Sequence, residues 1–405
     1  MSEDEISKSK SPSVMTIVGD VSADRHAGLL IKKLKESRPD ISFWGVGGDR
    51  MKEAGVELLH HLEEFTVFGI SAVAKRIPLI LKLEKELCAE IEARKPDLLL
   101  LVDYGGFNLR ISSKVRDRFK DLPIVYFITP QVWASRPWRI NKIKENISRA
   151  LVIFPFEEAI LREHGISSRF VGHPLSEQIP KEKDLPDKND FLASIGMEKA
   201  EEIVSIFPGS RKQELLDHSP ILLQAMEELI ERRPGMKFIV SMASKNMENL
   251  FKKALARCDL ANHVDKEIFI ISQDKNYAAM QHSDMVWAKS GTTTLEVAMF
   301  AKPMLIFYRG DWISYFIVLV VKTIKNVGLP NLLAGKKLVP ELLQLDCSAK
   351  QFVRYTNDLL DVPGLQKEIV KELSSIKDRL GKGNYITNCA EEILKYLQPD
   401  TVDSA

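Results

Sequence analysis

Short, nearly continuous aliphatic runs recur along the first half of the chain, at residues 15–18 (MTIV), 98–102 (LLLLV), 124–128 (IVYFI) and 151–154 (LVIF). Runs of this length without polar alternation predict strands buried on both faces, as in a parallel sheet. Between them, residues 27–37 and 77–94 place apolar side chains at helical spacing with charges on the opposite face. The alternation predicts βαβ units, hence an α/β fold with helices covering both faces of a parallel sheet. The pattern breaks at 180–189 (PKEKDLPDKN), a charged stretch with two prolines that reads as a linker. A second series follows, with strands predicted at 203–207, 237–241, 268–271, 285–287 and 304–307 and helical segments such as 220–232 between them. The expected architecture is two doubly wound, Rossmann-like domains, residues 14–180 and 190–380, after a flexible lead at 1–13.

At 405 residues the chain exceeds what one core usually serves, so two domains also fit its length. Lysine and arginine number 57 against 56 acidic residues, a net charge of +1 that provides no global field for nucleic-acid binding. Cys88, Cys258, Cys347 and Cys389 lie far apart, without the pairing of a zinc site or redox motif. With a polar lead that lacks the apolar core of a signal peptide, this gives the expectation of a reducing, cytoplasmic setting. Neither 98–102 nor 313–321 approaches the roughly 20 apolar residues that span a bilayer. The segment 311–325 (DWISYFIVLVVKTIK) suits a buried helix first and a membrane-surface helix second.

In open α/β sheets ligands bind beyond the carboxyl ends of the strands, so the residues following each run are where chemistry is expected. After 15–18 come Gly19, Asp20, Val21, Ser22, Ala23 and Asp24, where Ser22 or Asp24 either caps the next helix or meets a ligand. After 98–102 comes Asp103, followed by Tyr104, Gly105, Gly106, Phe107 and Asn108. It is placed as a general base for a substrate hydroxyl, or as the cap of a helix beginning near Asn108. After 203–207 come Pro208, Gly209, Ser210 and Arg211, then Glu214. Main-chain N–H groups and a guanidinium there suit a phosphate, although the P-loop lysine is missing. After 285–287, Ser290, Gly291 and Thr292 open a helix whose N-terminus is a ready anion site, with Glu296 one turn in to hold a sugar hydroxyl pair. His60, His61, His164, His218, His263 and His282 show no metal-ligand spacing, and solvated or core positions account for them; no metal is expected.

Taken in order, these motifs resemble the lipid A disaccharide synthase family, inverting glycosyltransferases of the two-domain GT-B fold. The resemblance also runs through 45–51 (GVGGDRM), 129–133 (TPQVW), 154–157 (FPFE), 171–175 (VGHPL), 329–332 (LPNL) and 339–341 (VPE). Departures fall on the acceptor side: Asp20 and Ala23 where the family has Gly-Glu-x-Ser-Gly-Asp, Ser135 where it has Trp-Ala-Trp, and Gly105 where proline is common.

The resemblance implies two domains facing a central cleft, with a C-terminal helix in 381–405 packing back on the first. It implies transfer from a UDP-linked diacylated glucosamine to a diacylated glucosamine 1-phosphate, giving a β-1,6-linked disaccharide and UDP, without metal or redox cofactor. Asp103 and Arg211 are then the expected catalytic residues. Ser22, Asp24, Asn108, Gly209, Ser210, Ser290, Gly291, Thr292, Glu296 and Asn331 are the expected substrate-binding ones. Acylated substrates imply peripheral attachment to the inner membrane, through 311–325 and the 65–83 stretch; a homodimer is left open. Another UDP-sugar transferase or epimerase of the same fold is the enzymatic alternative, and a non-catalytic sugar-nucleotide or lipid-binding relative is the other.

Overall fold

The computed structural model describes residues 11–64, 70–133, 137–310, 326–381 and 383–398, with backbone only at 70–77 and 259. The segment 311–325, Ser135 and residues 65–69 lie outside the described residues. The chain forms two compact units, one reaching to Pro174 and resuming at Gly381, the other Leu175–Leu380.

In the first unit a seven-stranded sheet comprises β1 (Ser13–Ile17), β2 (Ser42–Gly47), β3 (Glu57–His61), β4 (Leu98–Val102), β5 (Ile124–Phe127), β6 (Arg149–Val152) and β7 (Ser168–Phe170). Their order is β3-β2-β1-β4-β5-β6-β7, every pair parallel. All five β4 residues are wholly buried, and the strand pleat divides them between two cores: Leu98, Leu100 and Val102 on one face, Leu99 and Leu101 on the other. That is why the run read as continuous rather than alternating.

The helix Tyr385–Leu394 completes the first of these cores with Tyr385, Cys389 and Ile393, packed on the helix Val21–Ser37. Arg149 Nη2 meets Glu392 Oε2 at 2.6 Å, and the Asn388 amide donates to the Val171 carbonyl at 2.9 Å.

The second unit holds β8 (Glu202–Phe207), β9 (Met236–Met242), β10 (Ile268–Ser272), β11 (Met285–Lys289), β12 (Met304–Tyr308) and β13 (Glu341–Leu343), in the order β10-β9-β8-β11-β12-β13, again all parallel. Trp287 is fully buried against Phe238 and Phe352, and its indole N–H donates to Thr356 Oγ1 at 3.0 Å. Residues 180–189 belong to this unit: the carbonyls of Glu182 and Pro186 accept from Gln281 and His282, and the helix Lys188–Ser194 begins inside the stretch.

Several residues expected at substrate are engaged with their own chain instead. The helix Val21–Ser37 starts ahead of the predicted segment, so its cap is Asp20, accepting from Ala23 N at 2.8 Å, and neither Ser22 nor Asp24 caps it. Ser22 stands exposed on the first turn. Asp24, 2% exposed, accepts from the main-chain N–H groups of Gly48, Arg50 and Met51 at 2.7, 2.9 and 3.2 Å, and so caps the short helix Asp49–Glu53 from a distance. Asn331 is fully buried. Its amide nitrogen donates to Val339 O and Glu341 Oε1, and its amide oxygen accepts from Leu338 N and Val339 N. All four bonding positions of the amide are thus filled by one loop, which Glu341 closes by accepting from Val327 N and Gly328 N.

Removing the Asp24 carboxylate strands three N–H groups. Asp24→Ala should lower stability by about 3 kcal/mol in urea unfolding. The folded fraction should keep most of its turnover. Unaltered stability with collapsed activity would return Asp24 to the substrate.

Candidate active site

In both sheets the strand order reverses between two central neighbours, β1 and β4 in the first unit and β8 and β11 in the second. At such a switch point the following helices leave on opposite faces and open a crevice at the carboxyl ends. The four motifs singled out from the sequence are the segments that follow these four strands.

In the first unit the chain leaving β4 adopts left-handed backbone at Asp103 (φ 49°) and Tyr104 (φ 52°), and the chain leaving β5 does so at the β-branched Ile128 (φ 55°). Non-glycine residues take this conformation only where the surroundings impose it. Here Tyr126 Oη donates to the Asp103 carbonyl at 2.7 Å and the Asn108 amide donates to the same oxygen at 2.8 Å. Asn108 is wholly buried and therefore shapes the Asp103 turn rather than facing a ligand. Gly19 makes room for the arrangement, since a Cβ there would lie 2.0 Å from the Tyr104 ring. Asp103 does not cap the helix Gly105–Arg118, which begins ahead of Asn108; its carboxylate accepts from the adjacent Tyr104 N at 2.7 Å.

Asp103 lines a cavity of about 440 Å³ with Gly105, Gly106, Thr129, Pro130, Gln131, Arg139 and Glu157 among its walls. Burial, and after it the negative charge of Asp20, push the Asp103 carboxyl up to about 6, against the opposing Tyr104 N–H. Glu157 accepts from the Trp133 indole at 2.8 Å and from Phe154 N at 3.2 Å, yet burial still raises it to about 7. Glu157 and Arg139 were not singled out from the sequence. Glu157 stood there only as a letter of the 154–157 motif, opening a helix, and nothing local marks its exposure to the Asp103 cavity.

In the second unit Phe207 at the end of β8 and Pro208, Gly209 and Ser210 beyond it, with Gly291, Thr292 and Thr293 after β11, line a polar cavity of about 300 Å³. Gly209 has φ +116°, and a Cβ on it would meet Glu214 Oε2 at 2.5 Å, so the turn requires glycine. The N–H groups of Ser210 and Arg211 point inward to Glu214 Oε2, at 3.2 and 3.3 Å, rather than outward as expected for a phosphate cradle. Glu214 Oε1 pairs with Lys289 Nζ at 2.9 Å. Burial raises Glu214, but Lys289 together with the Arg211 N–H and guanidinium outweighs it, and the carboxyl ends below its ordinary range.

Arg211 Nη1 lies 3.8 Å from Glu214 and its side chain is 82% exposed, a weak surface pair that leaves the guanidinium available. Arg211 belongs to the wall of an adjoining cavity of about 510 Å³, with Tyr308 and Arg309. Ser290 is held by its N–H to the Phe307 carbonyl at 2.8 Å. Glu296 is half-buried on the helix Thr292–Met299, receives Tyr277 Oη at 3.5 Å and is raised by burial. Lys289, Gln273 and the pair Ser241–Asn276 (2.6 Å) also line the 300 Å³ cavity and were missed. Lys289 and Ser241 sit at strand ends, so the rule that found Ser290 would have found them.

Residues 14–395 match the family model of lipid-A-disaccharide synthetase. Lipid-A-disaccharide synthase 1 of Legionella pneumophila is 35% identical, over 91% of this chain and 93% of the relative. The synthase of Myxococcus xanthus is 33% identical, over 96% and 99%. Among solved structures, UDP-GlcNAc 2-epimerase of Neisseria meningitidis bound to UDP-GlcNAc superposes with a TM-score of 0.58 at 14% identity, covering 95% of this chain and 100% of the other. The calicheamicin glycosyltransferase gives 0.57 at 12%, covering 97% and 100%. At those identities the structures establish the GT-B fold, while the sequence relatives favour disaccharide synthesis over the epimerase alternative. With its full-length match and relatives above 30% identity, the chain belongs to the lipid-A-disaccharide synthetase family of glycosyltransferases.

Proposed function

We propose that the chain joins a UDP-linked diacylated glucosamine to a diacylated glucosamine 1-phosphate, forming the β-1,6 bond and releasing UDP. Asp103 supports this most directly: a carboxylate on imposed left-handed backbone, in a cavity at a switch point, with a basicity raised to about 6. Such a group is ionised at neutral pH yet retains enough basicity to take the acceptor hydroxyl proton. The acceptor oxygen attacks the anomeric carbon from the face opposite UDP, the bond to the diphosphate breaks, and configuration inverts. Negative charge growing on the diphosphate is met by Arg211 and Lys289 and by the start of the helix Thr292–Met299, and Glu296 holds ribose hydroxyls.

Asp103→Asn should lower turnover by about 10² to 10⁴ with UDP affinity unchanged. In the parent enzyme kcat/KM should fall as pH drops through about 6, because the protonated acid is not a base. Asp20→Asn should move that limb to lower pH, since Asp20 is one of the two influences that raise Asp103. Parent-like turnover in Asp103→Asn removes the residue from the mechanism.

On the donor side, Arg211→Ala should lower kcat, with Lys restoring part of it, because lysine keeps the charge and loses the planar fork. Glu296→Ala should mainly raise the donor KM. Steady-state kinetics with thermal melts, with and without UDP, check both. Unchanged kinetics together with an undiminished UDP-induced melting shift rule out these assignments.

Peripheral attachment to the inner membrane belongs to the same reading. No helix among the described residues is long and apolar enough to cross a membrane. Leu79 and Leu81 are 38% and 42% exposed on the helix Ile70–Arg94, beside Lys82 and Lys85, a mix suited to anionic lipid surfaces. The protein should float with anionic vesicles holding acylated substrate and be released by salt; recovery wholly in the soluble fraction defeats the attachment.

A further inference from the structure

Behind the Gly209–Ser210 turn, the helix Lys212–Arg232 buries His218, 1% exposed. Its Nδ1 lies 2.8 Å from the Pro208 carbonyl oxygen and its Nε2 lies 3.1 Å from the Arg309 main-chain nitrogen. A main-chain carbonyl only accepts and a main-chain N–H only donates. Both contacts are therefore made together by one state of the ring, the neutral imidazole with its proton on Nδ1. The imidazolium would aim N–H at N–H toward Arg309, and the other tautomer would mismatch both partners. Burial holds the group below its ordinary range, against Glu214 and Asp217, which favour the charged form. Phe307 packs edge-on against the ring at 5.0 Å, which fixes its plane.

The Arg309 side of this link is anchored independently. Gly310 N donates to Gln344 Oε1 at 3.1 Å, and the Gln344 amide returns a bond to Gly310 O at 3.2 Å. His218 thus fastens the residue that precedes the left-handed Gly209 to the secured end of β12.

We propose that His218 is a positioning residue of the donor site, fixing the Gly209–Ser210 turn for the leaving diphosphate by holding Pro208 to Arg309. The proposal rests on the reading that this turn seats the UDP-sugar. His218 touches no substrate and acts through the main chain of Pro208.

Three full-length variants separate the two bonds. The amide nitrogen of Asn reaches the place of Nδ1 and keeps the Pro208 bond; the amide oxygen of Gln reaches the place of Nε2 and keeps the Arg309 bond; Leu keeps neither. His218→Leu should raise the Kd for UDP and the donor KM about tenfold, the loss of roughly one well-made hydrogen bond with its partner left buried. The acceptor KM should stay within about twofold, a split that general loosening of the unit would not produce. His218→Asn should recover most of the UDP affinity and His218→Gln should not. If the leucine variant does not fold, the Asn and Gln comparison alone decides. UDP affinity equal to the parent in all His218 variants, or recovery by Gln and not Asn, overturns the proposal. Gly209→Val separates the two layers. If it binds UDP normally, UDP sits elsewhere and the donor-site reading fails with the proposal; if it loses UDP while the His218 variants do not, only the proposal fails.

Discussion

The candidate site residues of this protein are arranged around one constraint: the two sheets are parallel and covered by helices. A strand such as Leu98–Val102, wholly buried along its length, offers no solvated face on which a charged group can stand, and its backbone groups are consumed by the ladders to β1 and β5. Chemistry is therefore pushed to the carboxyl ends, and among those ends to the pair where the order reverses. The same solution appears in each unit. Left-handed backbone at Asp103 and Tyr104, and at Gly209, turns the chain sharply enough to leave a crevice there. In the first unit the strain is held by Tyr126 and Asn108 from below; in the second, a glycine removes it.

The two crevices hold carboxylates with opposite fates, set by burial and by their neighbours together. Asp103 and Glu214 are both taken partly out of water, which disfavours their charged forms. Asp103, raised first by burial and then by the negative charge of Asp20, becomes more basic. Glu214 has Lys289 at 2.9 Å and becomes less so. The first is suited to receiving a proton, while the second serves as a permanent anion that organises a turn and a cation around itself.

Sequence patterning located most of this framework, for reasons that also explain its omissions. Long aliphatic strands were legible because double burial disfavours polar interruptions, leaving small ones such as Thr16 and Ser205. The strands Ser42–Gly47 and Glu57–His61 were not, since the first is broken by glycines at a register shift and the second is a half-exposed edge. The three-residue strands Ser168–Phe170 and Glu341–Leu343 are too short for any period. Site residues were found where the strand-end rule was applied, as at Asp103 and Gly209. Asp24 and Asn331 look like ligand-binding residues by type and motif. Only the fold reveals that Asp24 already accepts from Gly48, Arg50 and Met51, and that Leu338, Val339 and Glu341 fill the amide of Asn331. Glu157 and Gln344 belong to the opposite class, distant in sequence from the groups they serve.

The helix Tyr385–Leu394 gives the first unit an unusual relation to its own synthesis. Tyr385, Cys389, Ala390, Ile393 and Leu397 are interior residues of a core whose other buried members all precede Pro174. A ribosome adding about 5–20 residues per second must therefore make the entire second unit before the first can close that core. For on the order of ten seconds or more the opening half of the chain exists with an uncovered apolar face on Val21–Ser37, dependent on whatever shields nascent hydrophobic surface. The second unit, contiguous in sequence, is under no such delay and can finish first, reversing the usual order in which the domain made earlier is the domain folded earlier.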